Sequence, residues 1–95
     1  MSMLVRFAPA AAVTTEQYDQ TVSRLQSDGG EFPPDGMEYH CAYMAADGNL
    51  RVSEIWDSQE KFEAFGQRLM PILAAAGIQF ANPPDIFDVH NIVKG

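Results

Sequence analysis

The chain has 95 residues, enough for one domain and too few for a second core. Hydrophobic residues make up 46% and charged residues 20%, a balance typical of folded globular proteins that excludes a disordered chain. Thirteen Asp and Glu against six Lys and Arg give a formal charge of −7, so we expect neither nucleic acid nor a membrane surface as a partner.

Cys41 is the only cysteine, so neither an intrachain disulfide nor a thiolate metal site is expected. No apolar run approaches the ~20 residues that a membrane-spanning helix needs. We therefore predict a cytoplasmic protein that consists of one domain over residues 1–95.

A capping signal marks the first helix. Thr14 is followed three residues later by Gln17, and Val13 and Tyr18 occupy the two positions of a hydrophobic staple. These positions predict a helix over 15–27, which the glycines that follow Asp28 bring to an end because glycine readily adopts the left-handed conformation.

The remaining elements follow from apolar periodicity and from turn residues. Pro71 is expected to kink or break the second helix, because proline lacks a backbone donor and clashes with the preceding turn. The predicted elements are a strand over 2–8, a linker over 10–13, the first helix, a turn over 31–36, strands over 37–45 and 50–56, a second helix from a cap at Asp57 or Ser58 to Gly77, a loop over 78–85 and a strand over 86–93.

The element order βαββαβ predicts the split βαβ arrangement of ferredoxin-like folds, an α+β class. The four strands would form an antiparallel sheet of order 4-1-3-2 with both helices on one face. Neither face of these strands is clearly polar, although a helix-free face of a monomer normally is. We therefore expect a homodimer in which two sheets pack face to face.

The junction between the third strand and the second helix, residues 54–65 (EIWDSQEKFEAF), resembles the corresponding segment of antibiotic-biosynthesis-monooxygenase-like (ABM-like) proteins. These belong to the dimeric α/β-barrel superfamily, and the resemblance in element order covers the whole chain. It implies a dimeric barrel and a cofactor-independent monooxygenase that acts on a small aromatic or polyketide-like compound. It also leaves open a non-catalytic module for small-molecule binding or dimeric interaction, and a polyketide cyclase-like enzyme.

No cofactor is expected. Haem-degrading members of this superfamily use an asparagine in the first strand and a histidine in the second helix, and this chain has neither. Cyclase members use a histidine after the second helix, and residues 78–85 contain none. A glycine-rich phosphate loop is also missing from the sequence.

His40 and His90 are the candidate catalytic residues, because histidine is the side chain best suited to act as a general base near neutral pH. The structural alternative for each is a strand histidine hydrogen-bonded to a neighbour. The two lie on opposite edge strands of the predicted sheet, roughly 14 Å apart. A metal site shared by them within one chain is therefore not expected.

Four further residues are candidate ligand contacts. Trp56, the only tryptophan, would stack on a flat ligand together with Tyr43, although a core residue that seals the sheet end is an equal alternative. Arg6 and Glu54 lie on adjacent central strands, where they would pair with each other or hold a polar group of the substrate.

The turn around Asp47-Gly48 decides which of these residues share a face. A two-residue turn places Trp56 on the face of Tyr39, whereas a three-residue loop places Trp56 and Glu54 on the face of His40 and Glu38. The three-residue loop is favoured, because Asp followed by Gly suits a type I turn with a bulge.

Overall fold

A computed structural model of the chain describes residues 2–7, 12–80 and 83–93. The predicted linker over 10–13 lies partly outside the described residues, as do Ala8 of the predicted first strand and part of the predicted loop over 78–85. The elements are β1 (Met3–Arg6), α1 (Thr15–Ser27), β2 (Met37–Met44), β3 (Leu50–Trp56), α2 (Gln59–Ala75) and β4 (Asp85–Asp88).

The four strands form one antiparallel sheet with the order β2-β3-β1-β4. The βαββαβ order and this strand order confirm the predicted ferredoxin-like fold. The central pair β1 and β3 is aligned so that Val5 faces Glu54 and Arg6 faces Ser53.

The first helix begins and ends as predicted. The Thr14 side chain accepts a hydrogen bond from the backbone N–H of Gln17, and the Gln17 side chain accepts one from the backbone N–H of Thr14. This capping box satisfies two of the donors that a helix start leaves unpaired. Gly29 follows the helix with a φ of 90°, a left-handed conformation that glycine adopts without strain.

The second helix corrects one expectation. Of the kink or break expected at Pro71, the break does not occur, because the helix is continuous from Gln59 to Ala75. Ser58 caps its start, and Gly77 ends it with a φ of 78°. The N–H of Ile78 then bonds the carbonyl of Leu73, which closes a Schellman-type end.

The last strand is shorter than the predicted 86–93. It pairs only with the four residues of β1, from Met3 opposite Asp88 to Arg6 opposite Asp85. One further bond, from the N–H of Val89 to the carbonyl of Ser2, ends the ladder. A strand needs a partner along its whole length, and β1 supplies none for the residues after Val89.

The core lies between the helices and one face of the sheet. Trp56 and Val5 are fully buried there, and the rings of Phe62 and Phe65 each lie 5.6 Å from the indole. The other core residues are Met3, Leu25 and Met37, packed against by Phe7, Phe32, Leu69 and Ile72.

The opposite face of the sheet, here named the open face, carries no helix among the described residues. Tyr39, Tyr43 and Phe87 on this face are 37%, 39% and 48% exposed. No helix within the described part of the chain has the length and apolar character needed to cross a membrane.

Candidate functional site

The β2–β3 hairpin sets the geometry of the site through its loop. The N–H of Gly48 bonds the carbonyl of Ala45, the N–H of Ala45 bonds the carbonyl of Asn49, and Gly48 has a φ of 83°. These features define the favoured three-residue loop with a left-handed glycine. The register that follows places His40 directly opposite Glu54 on the helix-covered face.

A bulge near the start of β2 modifies this register. Met37 lies opposite Trp56 and Tyr39 lies opposite Ile55, so Glu38 is the extra residue. Met37 is therefore buried next to Trp56. The expectation that Glu38 shares the face of Trp56 is wrong, since Glu38 is exposed and accepts a hydrogen bond from Ser2.

Glu54 is a carboxylate inside the core, with a side chain only 3% exposed. Its Oε1 accepts a hydrogen bond of 3.0 Å from the indole N–H of Trp56, two residues further along the same face. Its Oε2 lies 2.8 Å from Nδ1 of His40. Burying a charge is costly unless it is hydrogen-bonded, and these two nitrogens supply both bonds.

Tyr18 completes the arrangement from α1. Its hydroxyl lies 2.7 Å from Nε2 of His40, and the two rings stack with centroids 5.9 Å apart. The capping box fixes where α1 begins, so it also fixes which turn of the helix brings this hydroxyl to the sheet. Glu54, His40 and Tyr18 thus form a continuous hydrogen-bonded chain, here named the relay.

Burial raises the pKa of the Tyr18 hydroxyl above its ordinary value of 10.0, and the negative charges of Asp19 and Glu54 raise it further. The phenol is therefore protonated at neutral pH and carries a proton that it can donate to Nε2 of His40. Nδ1 of His40 faces a carboxylate, which fixes the tautomer of the neutral ring as Nδ1–H.

The relay forms part of the wall of a cavity between the helices and the sheet. The cavity has a volume of about 70 Å³ and is partly open to solvent. Of the described side chains that line it, four are polar, namely Tyr18, Thr21, His40 and Glu54. The apolar lining residues are Phe7, Val13, Val22, Leu25, Phe32, Leu50, Val52, Phe65, Leu69, Leu73, Ile78 and Phe80.

The structure brings together three of the six predicted site residues, His40, Glu54 and Trp56. Trp56 is fully buried, does not line the cavity, and uses its indole N–H on Glu54. Its position is that of a core residue that holds the carboxylate, rather than of a surface on which a ligand stacks.

The other three predicted site residues lie elsewhere. Arg6 is exposed and faces Ser53, one residue out of step with Glu54, so the two side chains leave the sheet on opposite faces. The expected pairing of Arg6 with Glu54 therefore does not form. Tyr43 bonds Ser53 on the open face through its hydroxyl, at 3.2 Å.

His90 lies after β4 and is exposed. It is absent from the cavity wall. The structure thus separates the two histidines that the sequence treats alike, because His40 lies in β2 against Tyr18 of α1, whereas His90 follows the end of β4.

Sequence reasoning did not identify Tyr18 as a site residue and assigned it only to the staple and to the apolar stripe of α1. One signal was available: a staple position faces the core, and a tyrosine there must place its hydroxyl against a polar partner. The partner on β2 depends on the hairpin register, which the sequence left open.

No group of three or more His, Cys, Asp and Glu side chains within residues 2–7, 12–80 and 83–93 is arranged to hold a metal ion. Each member of the relay can hold or pass a proton and each neighbouring pair is within hydrogen-bond distance, so this geometry is suited to proton transfer.

Comparisons with known proteins support the fold. No protein-family model matches the chain, and no curated protein matches it. The solved structure of Rv0793 from Mycobacterium tuberculosis is similar at 17% identity with a TM-score of 0.54, and the match covers 98% of this chain and 95% of that one. A protein from Chloroflexus aurantiacus J-10-fl, named as a candidate antibiotic biosynthesis monooxygenase, is similar at 16% identity with a TM-score of 0.54, over 99% and 97% of the two chains. Both structural matches extend over nearly the full length of the two chains. They therefore show that this chain shares the fold of ABM-like proteins, although the sequence identity is low.

Proposed function

We propose that the chain is an ABM-like enzyme that binds a small aromatic compound with an acidic hydroxyl and oxidises it with molecular oxygen, without a cofactor. The observation that supports this most is the relay at the wall of an apolar cavity, with His40 hydrogen-bonded on both sides. The name of the Chloroflexus structure points to the same class of reaction.

His40 is the base in this proposal. The substrate hydroxyl gives its proton to the Tyr18 oxygen while Tyr18 passes its own proton to Nε2 of His40, and Glu54 stabilises the resulting imidazolium. The phenolate then reduces oxygen and forms a ring hydroperoxide, which loses water to give a quinone. The reaction balances as one phenol and one O₂ giving one quinone and one water.

The cavity volume limits the substrate. An aliphatic cavity of about 150 Å³ holds one benzene molecule, whereas this cavity measures about 70 Å³ and is partly open. A single ring with its hydroxyl-bearing edge inserted suits this space. A fused polyketide ring system would have to displace the aromatic lining, so we favour single-ring phenols.

The test is oxygen consumption with a panel of single-ring phenols, compared between His40→Asn and His90→Asn. We expect turnover in the wild-type chain and in His90→Asn, no change on treatment with a metal chelator, and a loss of about 10²- to 10⁴-fold in His40→Asn. Equal turnover in the two variants, or none above the blank in the wild type, would contradict the proposal.

A non-catalytic binding module is the second candidate. One observation favours it: both ring nitrogens of His40 already have partners within the chain, and Trp56 is committed to the core. A phenol that shifts the NMR signals of the cavity residues but causes no oxygen consumption would assign this function instead.

We also propose that two copies associate through the open face of the sheet. Tyr39, Tyr43 and Phe87 place large, partly exposed rings there, and Leu4 and Ile55 lie between them on the central strands. Contiguous apolar surface of this kind marks association sites. A self-complementary pairing of two sheets would cover it.

A further inference from the structure

The relay contains two hydrogen bonds and only two protons to make them. Glu54 as a carboxylate contributes none, neutral His40 contributes one, and Tyr18 contributes one. Trp56 adds a third proton, but its indole N–H is already donated to Oε1 of Glu54. The number of protons therefore decides whether the relay presents a free hydrogen-bond donor or only an acceptor to a ligand.

The direction of both bonds follows from Glu54. A carboxylate can only accept, so Nδ1 of His40, 2.8 Å away, carries the ring proton. Nε2 then has only a lone pair, and the hydroxyl 2.7 Å from it must donate. Tyr18 thereby donates its only hydroxyl proton to His40, and its oxygen keeps lone pairs that can accept a further hydrogen bond.

Thr21, the remaining polar side chain of the cavity wall, also has its donor in use. The hydroxyl of Thr21 donates to the backbone carbonyl of Gln17 at 2.9 Å. Among the described side chains that line the cavity, every O–H and N–H is therefore committed, whereas acceptor lone pairs remain.

We propose that this cavity selects neutral ligands that bring their own O–H or N–H donor, with the Tyr18 oxygen as the acceptor, and rejects ligands whose polar atom only accepts. The inference rests on the proposal that the cavity binds a ligand. It narrows the ligand class to neutral O–H and N–H donors, such as alcohols and phenols, against ketones, ethers and quinones. Anions are disfavoured as well, because they add acceptors beside a buried carboxylate in a chain of charge −7. The quinone product of the proposed reaction would lack the donor and would leave readily.

Binding an acceptor-only ligand leaves buried lone pairs facing each other without a proton. The cost of an unpaired buried polar group corresponds to about tenfold or more in affinity. Cyclopentanol and cyclopentanone are suitable probes, because they have the same ring and the same charge and differ in the donor. We expect the alcohol to bind the wild-type chain about tenfold more tightly.

Glu54→Gln reverses the relay in a predictable way. The indole N–H of Trp56 still requires an oxygen opposite it, so the amide places its carbonyl toward Trp56 and its NH₂ toward Nδ1 of His40. Nδ1 must then accept, the ring proton moves to Nε2, and Nε2 donates to the Tyr18 oxygen. The Tyr18 proton becomes free to point into the cavity, so ketones gain a donor.

The experiment combines NMR titrations of the two probes with ¹⁵N spectra of the two histidines, assigned with His90→Asn. The expected wild-type result is the Nδ1–H tautomer of His40 and a tenfold preference for the alcohol. The expected Glu54→Gln result is the Nε2–H tautomer and a preference below about threefold. Glu60→Gln, on the exposed first turn of α2, removes the same charge away from the relay and should keep the wild-type preference.

Several outcomes would overturn the inference. An Nε2–H tautomer in the wild type, equal affinities for the two probes, or an unchanged preference in Glu54→Gln would each do so while leaving the proposed function standing. Binding of neither probe to the wild type would instead remove the ligand site on which the proposed function also depends.

Tyr18→Phe is a second test that does not depend on the folding of Glu54→Gln. It exposes the Nε2 lone pair to the cavity and adds no donor. The variant should therefore still bind cyclopentanol more tightly than cyclopentanone. If the Tyr18 hydroxyl normally donated to ligands, the wild type would favour the ketone at least as strongly as the alcohol, and that result would overturn the inference.

Discussion

The two faces of the sheet both carry aromatic side chains, but in different surroundings. On the helix-covered face a glutamate, a histidine and a tryptophan are hydrogen-bonded to one another within the core. On the open face two tyrosines and a phenylalanine are each more than a third exposed. The difference comes from α1 and α2, which cover only one face and exclude water from it.

Chemistry is therefore expected on the helix-covered face and association on the open face. A buried carboxylate persists only with its partners in place, so a change on the covered face should disturb both stability and the relay. A change on the open face should leave the fold of one chain nearly intact and act on contacts between chains.

Replacing Trp56 should have the largest effect on stability. Trp56→Ala is expected to lower the free energy of unfolding by about 3–5 kcal/mol, because it leaves a cavity among Phe62 and Phe65 and removes a donor from Glu54. Trp56→Phe, which keeps most of the packing, should cost about 1–3 kcal/mol for the lost donor. Urea unfolding measures both. A smaller loss in the free energy of unfolding for Trp56→Ala than for Phe87→Ala would contradict the expected difference between the two faces.

A charge on the open face should separate the proposed dimer. Phe87→Asp is expected to change the mass in sedimentation from two chains to one at micromolar concentration, because a carboxylate would be buried between the sheets. Met70→Asp is the matched control, since Met70 is 55% exposed but lies on α2. A wild-type mass corresponding to one chain would contradict the proposed dimer.

Removing single hydroxyls compares the faces directly. Tyr18→Phe deprives Nε2 of His40 of its donor inside the protein and should cost about 1 kcal/mol. Tyr43→Phe removes a hydroxyl that bonds Ser53 at an exposed position and should change the free energy of unfolding by less than about 0.5 kcal/mol. Equal costs in urea unfolding would show that burial does not distinguish the two.

The raised pKa of Tyr18 gives the smallest effect, a dependence of stability on alkaline pH. The unfolded chain loses the Tyr18 proton near pH 10, whereas the folded chain holds it to higher pH. Below that range Tyr18 is protonated in both states, so its contribution to stability is complete there and declines as the pH rises from about 10 through the folded pKa. In Tyr18→Phe this part of the decline should be missing from unfolding curves measured above pH 9.5.

Much of the fold could be predicted from local chemistry. The capping box at Thr14 and Gln17 placed the start of α1, and the bounds of β3 followed from its apolar run and flanking turns. The length of β4 could not be predicted, because a strand ends where its partner ends and that partner is β1, some eighty residues away. Pro71 likewise did not break α2, whose Phe65 and Leu73 are held in the core on either side of it.

The candidate site divides in the same way. The sequence determined that His40, Glu54 and Trp56 are available on neighbouring strands, and it narrowed their register to two choices around Asp47-Gly48. Only the tertiary structure decided that Gly48 takes the left-handed conformation, that a bulge at Glu38 brings Met37 beside Trp56, and that Tyr18 meets His40. The physical reason is that a helix packs against a sheet by burying its whole apolar face, and no local signal states which strand residue will lie beneath each of its turns.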